Sequence, residues 1–189
     1  MSDKSVILMI TGPSGVGKTT LSELLVEKLK GQLVRAVSST SRPPRPGEEE
    51  GVDYFFISRD EITTEVEKGN ALNHLFYHGN TYAYLRDTFE GPMSQGLDLV
   101  AVATKSGVED LKAEYGDLIL SILLVPPSLS ELERRLRKDG RTEETIQRRL
   151  ESAEEEMQGS QVYDVVVVCD ELEVTLDTVL RLYREVKGN

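Results

Sequence analysis

The segment Gly12-Pro-Ser-Gly15-Val-Gly17-Lys18-Thr19 fits the pattern G-x-x-x-x-G-K-[ST]. It lies between a short β-branched apolar run, Val6–Ile10, and leucines at helical spacing, Leu21, Leu24, Leu25 and Leu29. Strand, glycine loop and helix in that order form a cradle for nucleotide phosphates. The glycines let the backbone N–H groups of Gly12, Ser14, Gly15, Val16, Gly17, Lys18, Thr19 and Thr20 gather around an anion. The helix N-terminus adds its partial positive charge. Lys18 reaches the β- and γ-phosphates, and the Thr19 hydroxyl is placed to ligate Mg²⁺. A mere glycine-rich turn explains neither residue.

A second candidate is Ser38-Ser-Thr-Ser-Arg42-Pro-Pro-Arg45-Pro-Gly47-Glu48, followed by Gly51-Val-Asp53-Tyr54. Two arginines three apart on a proline-stiffened loop can converge on one phosphate, bind it bidentately and keep their charge. Tyr54 adds a phenolic donor. A third is the stretch 134–149, where seven basic residues, Arg134, Arg135, Arg137, Lys138, Arg141, Arg148 and Arg149, face three acids. The alternative there is a charged helix face with i,i+4 pairs such as Glu144 with Arg148. The 189-residue chain as a whole carries a net charge of −11. That argues against nucleic-acid polymers or anionic membranes as partners. Basic islands in an acidic protein imply a small, highly anionic ligand held locally.

The elements that must position these groups alternate. Strands are predicted at Val6–Ile10, Val34–Val37, 54–57, Leu99–Ala103, Leu118–Val125 and Val165–Val168. Helices are predicted after the glycine loop, at Asp60–Lys68 with Ser58 as N-cap and Glu61 three residues on, near Val108–Glu114, and at 129–137, 143–157 and 172–186. Ser38–Asp53 reads as turn-rich. Buried strands between helices imply a parallel sheet covered on both faces, in one domain. Cys169 is the only cysteine, which excludes an intrachain disulfide and a Cys-based zinc cluster, and fits a reducing compartment. The first apolar run is too short to span a bilayer and lacks a signal-peptide pattern. His74 and His78 read as surface or packing residues, with nothing to supply a third metal ligand.

Taken together, these segments resemble guanylate kinase: the G-P-S-G loop, S-S-T-S-R-P-P-R-P-G-E, G-x-D-Y-F-F, Gly79-Asn80-Thr81-Tyr82, Val125-Pro126-Pro127-Ser128, Arg148-Arg149-Leu150 and Tyr163-Asp164-Val-Val-Val, in that order. The resemblance implies an α/β P-loop NTPase fold, a three-layer sandwich with a parallel core sheet. Core segments would be 1–37, 98–133 and 149–189, with an inserted acceptor-binding region at 38–97 and a helical lid near 134–148. It implies phosphorylation of GMP or dGMP by ATP with Mg²⁺, in a cytoplasmic monomer or homodimer. Ser38, Arg42, Arg45, Tyr54, Asn73, Tyr82 and Thr104 would line the acceptor nucleotide, with Arg42, Arg45, Tyr54 and Tyr82 on its phosphate. Lys18, Arg137, Arg141 and Arg149 would be catalytic. Other readings are a different acceptor on the same fold, either a non-guanine nucleotide or a ribose bisphosphate, and a non-catalytic phosphopeptide-binding module. The retained Lys18 and Thr19 oppose the last.

The chain departs from that family where the base is read. The family's guanine-facing glutamate falls at Asn73, and its D-x-D acids at Val102 and Thr104. A glycine of the family is Ala83. Guanine offers N1–H and N2–H₂ donors, which a carboxylate suits and an amide matches only in part. Poor or redirected guanine discrimination is therefore expected, unless another acid serves; Glu67 and Glu90 are the candidates. The lid turn Lys138-Asp139-Gly140-Arg141 is one residue short of the family pattern. Cys169 stands where the family often has asparagine near the adenine, and reads as an inert small residue.

Overall fold

Ile7–Thr11 is buried throughout, and it forms β1, the centre of a five-stranded parallel sheet ordered β2-β7-β1-β8-β9. The computed structural model describes residues 4–77, 79–157 and 160–188; His78 lies outside them. The sheet's other strands are β2 (Leu33–Arg35), β7 (Asp98–Val102), β8 (Ile119–Val125) and β9 (Val165–Val168). Alternate side chains of β1 feed two cores. Leu8 and Ile10 pack with Leu21 and Leu25 of α1 (Lys18–Lys28) and Val179 and Leu180 of α7 (Leu172–Lys187). Ile7 and Met9 pack with Phe89 of α3 (Asp87–Ser94) and Val108 and Leu111 of α4 (Lys105–Tyr115). This is the expected sheet with helices on both faces.

One buried acid locks the sheet to α7. Asp98, 2% exposed, accepts hydrogen bonds from the Val6 N–H at 2.7 Å and the Tyr183 hydroxyl at 2.6 Å, and pairs with Lys187 at 3.0 Å. β9 corrects one expectation. It is a sheet edge rather than a fully buried strand, with Val166 46% and Val168 56% exposed.

A second sheet, ordered β4-β3-β6-β5, inserts between β2 and β7. Its strands are β3 (Ser39–Thr40), β4 (Phe55–Phe56), β5 (Ala71–Tyr77) and β6 (Asn80–Leu85). α2 (Arg59–Glu67) follows β4, with the expected reciprocal cap: Glu61 N–H to Ser58 Oγ at 3.2 Å, Ser58 N–H to Glu61 Oε2 at 2.8 Å. Strand β3 within the turn-rich stretch, the β5–β6 hairpin and α3 were not legible as elements. Two further helices, α5 (Leu129–Lys138) and α6 (Glu143–Met157), pack through Leu132, Leu136, Ile146 and Ala153, joined by a turn in which Gly140 has φ +70°.

Candidate active site

The glycine loop closes against β8. A Cβ at Gly12 would stand 2.3 Å from the Leu124 carbonyl oxygen, and φ there is +143°, so glycine is required twice over. Gly17 occupies the cap position of α1 at φ +112°. Thr19 and Thr20 stand exposed on the first turn. Lys18 is folded back over the loop, its Nζ donating to the carbonyls of Gly12 at 2.5 Å and Pro13 at 3.0 Å. Burial lowers its pKa from 10.5 to about 8; Glu156 opposes that shift and Arg149 adds to it. Glu156 was not anticipated from sequence, where it is one of three consecutive glutamates. Desolvation pushes its carboxyl up, and its charged neighbours are Lys18 and Arg149.

The Arg42 loop is organised by Glu48, whose role was also missed. Its carboxylate accepts both Arg42 Nη groups at 2.8 Å and the Arg45 backbone N–H at 2.7 Å. The bidentate contact holds Glu48 below the usual carboxylate range. The Arg42 guanidinium lies 5.3 Å from the Tyr54 ring centre, and Tyr54 meets Tyr82 edge-on at 6.0 Å. Arg42 Nε is buried without a hydrogen-bond partner. A buried, unsatisfied donor on a fixed arginine is a vacancy for an acceptor oxygen. The structure thus brings Arg42, Tyr54 and Tyr82 together.

Away from the arginines, strand register continues the same face. Tyr84 pairs with Asn73 across β5–β6. The Tyr84 hydroxyl donates to the Val102 carbonyl at 2.9 Å and accepts the Val102 N–H at 3.2 Å, with Ser38 beside it. Burial pushes this phenol to about 12. Thr104 caps α4, its Oγ1 accepting the Gly107 N–H at 3.3 Å. Asn73 donates its amide to Asp110 Oδ2 at 2.9 Å. Of the two acids considered as substitutes, Glu90 is held by Arg86, and Glu67 ends α2 with no bond to Asn73. The acid that does bond Asn73 is Asp110, on another element.

The lid arginines divide. Arg134 and Arg135 both pair with Glu131. Arg135 also donates to the carbonyls of Val16 at 3.4 Å and Asp170 at 2.9 Å, tying α5 to the glycine loop. Arg137 is bridged by Glu133 and Glu143. In contrast, no ion pair among the described residues involves Arg141, Arg148 or Arg149. Arg149 is held below its ordinary pKa by burial and then by its like-charged neighbours Arg141, Arg148 and Arg45. Cations from the glycine-loop helix, the Arg42 loop and α6 therefore share one field. Cys169 is buried, and a Cβ at Gly17 would lie 3.7 Å from its Sγ, in keeping with a packing role.

Comparisons with known proteins place the chain among its relatives. The family model described as guanylate kinase matches residues 3–185. A guanylate kinase of Chlorobaculum tepidum is 38% identical over 178 residues, covering 94% of this chain and 91% of its own. One of Synechococcus is 42% identical over 171 residues, covering 90% and 78%. The crystal structure of guanylate kinase from Anaplasma phagocytophilum superposes with a TM-score of 0.79 at 29% identity, covering 99% of this chain and 88% of that one. With a family model matched over residues 3–185 and relatives of 38% and 42% identity along most of its length, this chain belongs to the guanylate kinase family.

Proposed function

We propose that the chain transfers the γ-phosphoryl group of ATP to the phosphate of GMP, giving ADP and GDP. The observation that carries this reading is the shared field of Lys18, Arg45, Arg141 and Arg149, beside an Arg42 whose buried Nε lacks an acceptor. Like charges gathered from three regions destabilise one another unless polyanions lie between them. The family comparisons favour this acceptor over a ribose bisphosphate, and this activity over a binding module.

In the proposed reaction the loop N–H groups from Ser14 to Thr20 and Lys18 hold the ATP phosphates. Lys18 exchanges its two carbonyl contacts for phosphate oxygens. Arg42, Arg45, Tyr54 and Tyr82 hold the acceptor phosphate, one oxygen of which attacks the γ-phosphorus as the β–γ bridging bond breaks. Arg141 and Arg149 offset charge that develops on the transferring group, and positioning supplies the remainder of the rate. Arg137, in the last turn of α5, is held by Glu133 and bridges to Glu143 at the start of α6. Thr19 is exposed, and among the described residues its hydroxyl makes no hydrogen bond and no cluster of three His, Cys, Asp or Glu offers an all-protein cage. Thr19 would hold Mg²⁺ together with the nucleotide's phosphate groups, and the ion would supply charge neutralisation there. No helix among the described residues is long and apolar enough to cross a membrane; the proposed setting is the cytoplasm.

A panel of ribo- and deoxyribonucleoside monophosphates with Mg-ATP, scored for diphosphate product, tests the reading directly. GMP or dGMP should be converted. A chain that turns over no nucleoside monophosphate would refute it.

A further inference from the structure

Directly opposed residues of an antiparallel pair share a face. Thr40 and Leu75 both lie opposite Tyr82, and Asn73 lies opposite Tyr84. The rung at Tyr82 adjoins Arg42, whose N–H donates to Thr40 Oγ1, and the rung at Tyr84 and Asn73 is the next one on that face, toward β7. With the phosphate on Arg42, the nucleoside end of a monophosphate reaches that second rung. Its polar groups there are the neutral side chains of Ser38, Asn73, Tyr84 and Thr104, of which the Tyr84 and Thr104 hydroxyls are engaged with the backbone of β7 and α4.

The wall of this end is α4. Gly107 lets the helix come close, since a Cβ there would stand 3.3 Å from Asn73 Oδ1. Three residues on, Asp110 accepts the Asn73 amide through Oδ2. Its Oδ1 has no hydrogen-bond partner among the described residues. The contact spans 37 positions of sequence and fixes which way the Asn73 amide is turned. We propose that Asp110 is the specificity-determining acid of the acceptor site. It presents a free carboxylate oxygen to the N1–H and N2–H₂ donors of guanine, and it orients Asn73 as the second group on that edge. Adenine, with an acceptor at N1 and no 2-amino group, gains nothing from the carboxylate. This rests on the acceptor being GMP, as proposed above.

The test is steady-state kinetics of the wild type and of Asp110→Asn, Asp110→Ala and Asp110→Glu with GMP, IMP and AMP at saturating Mg-ATP. GMP binding without ATP is measured by calorimetry in parallel. Wild type should prefer GMP over IMP, which lacks the 2-amino group, and over AMP. Asp110→Asn and Asp110→Ala should raise the GMP KM about tenfold to a hundredfold, leave kcat and the ATP KM within a few-fold, and erase most of the preference over AMP. Asp110→Glu should retain part of it. Asp110 is exposed, so thermal melts should match wild type and exclude loss of fold as the cause. Unchanged GMP:IMP:AMP ratios in Asp110→Asn overturn the proposal while leaving GMP as acceptor. A wild type that ignores GMP overturns the acceptor assignment itself, and this proposal with it.

Discussion

Lys18 concentrates the chemistry of the site in one titratable group. Free of nucleotide, its ammonium rests on two carbonyls with a pKa near 8, against 10.5 when unperturbed. A lysine whose pKa is lowered by folding binds fewer protons than the unfolded chain between those values. Its contribution to stability therefore rises as pH increases from about 8 to 10.5. A triphosphate beside it restores the higher pKa. Calorimetry of ATP binding near pH 8.5, in buffers of differing ionisation enthalpy, should register proton uptake, and Lys18→Met should abolish it. Lys18→Ala should lower kcat by orders of magnitude with an unchanged circular dichroism spectrum. Near-normal turnover would remove the kinase assignment. Arg42 and Arg45 are proposed to hold the other phosphate, and Arg42→Ala and Arg45→Ala test that. Each should raise the GMP KM at least tenfold and leave ATP affinity nearly unchanged; a fall in ATP affinity instead would mean the two phosphate sites are exchanged.

Single elements are held by a few buried polar contacts. Asp98 joins the start of β1, the start of β7 and the end of α7 through Val6, Tyr183 and Lys187. Removing the carboxylate takes the acceptor from the buried Val6 N–H, one partner from the Tyr183 hydroxyl, and the counter-charge from the Lys187 ammonium, which keeps the Lys4 carbonyl. Asp98→Ala should therefore cost about 3–5 kcal/mol of stability, read as a lowered urea midpoint. Nucleotide KM values at low temperature should be little changed, because the contact lies far from the glycine loop in the chain of contacts. A loss below about 1 kcal/mol would show that solvent replaces these partners.

At the scale of the molecule, the acceptor region near 38–97 and the lid near 134–148 are proposed to close over bound nucleotides. Arg45 stands in the first and Arg141 in the second, and both are close enough to help lower the pKa of Arg149, which lies just beyond the second. Their repulsion favours separation until phosphates intervene, and closure then keeps water from the transferring group. Small-angle scattering should show a smaller radius of gyration with a bisubstrate analogue. An unchanged radius would count against closure.

The glycine loop was legible because its chemistry is local: a buried strand, three glycines and a helix start specify a phosphate cradle within about twenty residues. The Ser58–Glu61 cap and the central strands were legible for the same reason. β9 was misread as buried because four valines have the same local pattern at an edge as at a centre. The β5–β6 hairpin was missed because Ala71–Tyr77 mixes polar and apolar residues on both of its faces. The seven basic residues of 134–149 read as one island. Only their geometry separates Arg137, spanned by two glutamates, from Arg141 and Arg149, which have no ion pair among the described residues. Sequence by itself determined the parallel core and the glycine loop, since each depends on spacing within an element, and its ordered motifs carried the resemblance to the family. Tertiary structure alone decided that Glu156 is an electrostatic neighbour of Lys18, that Tyr84 is tied to Val102, and that Asp110 meets Asn73. Those pairs are distant along the chain, and they meet only because the strand register and the seating of the helices bring them within reach.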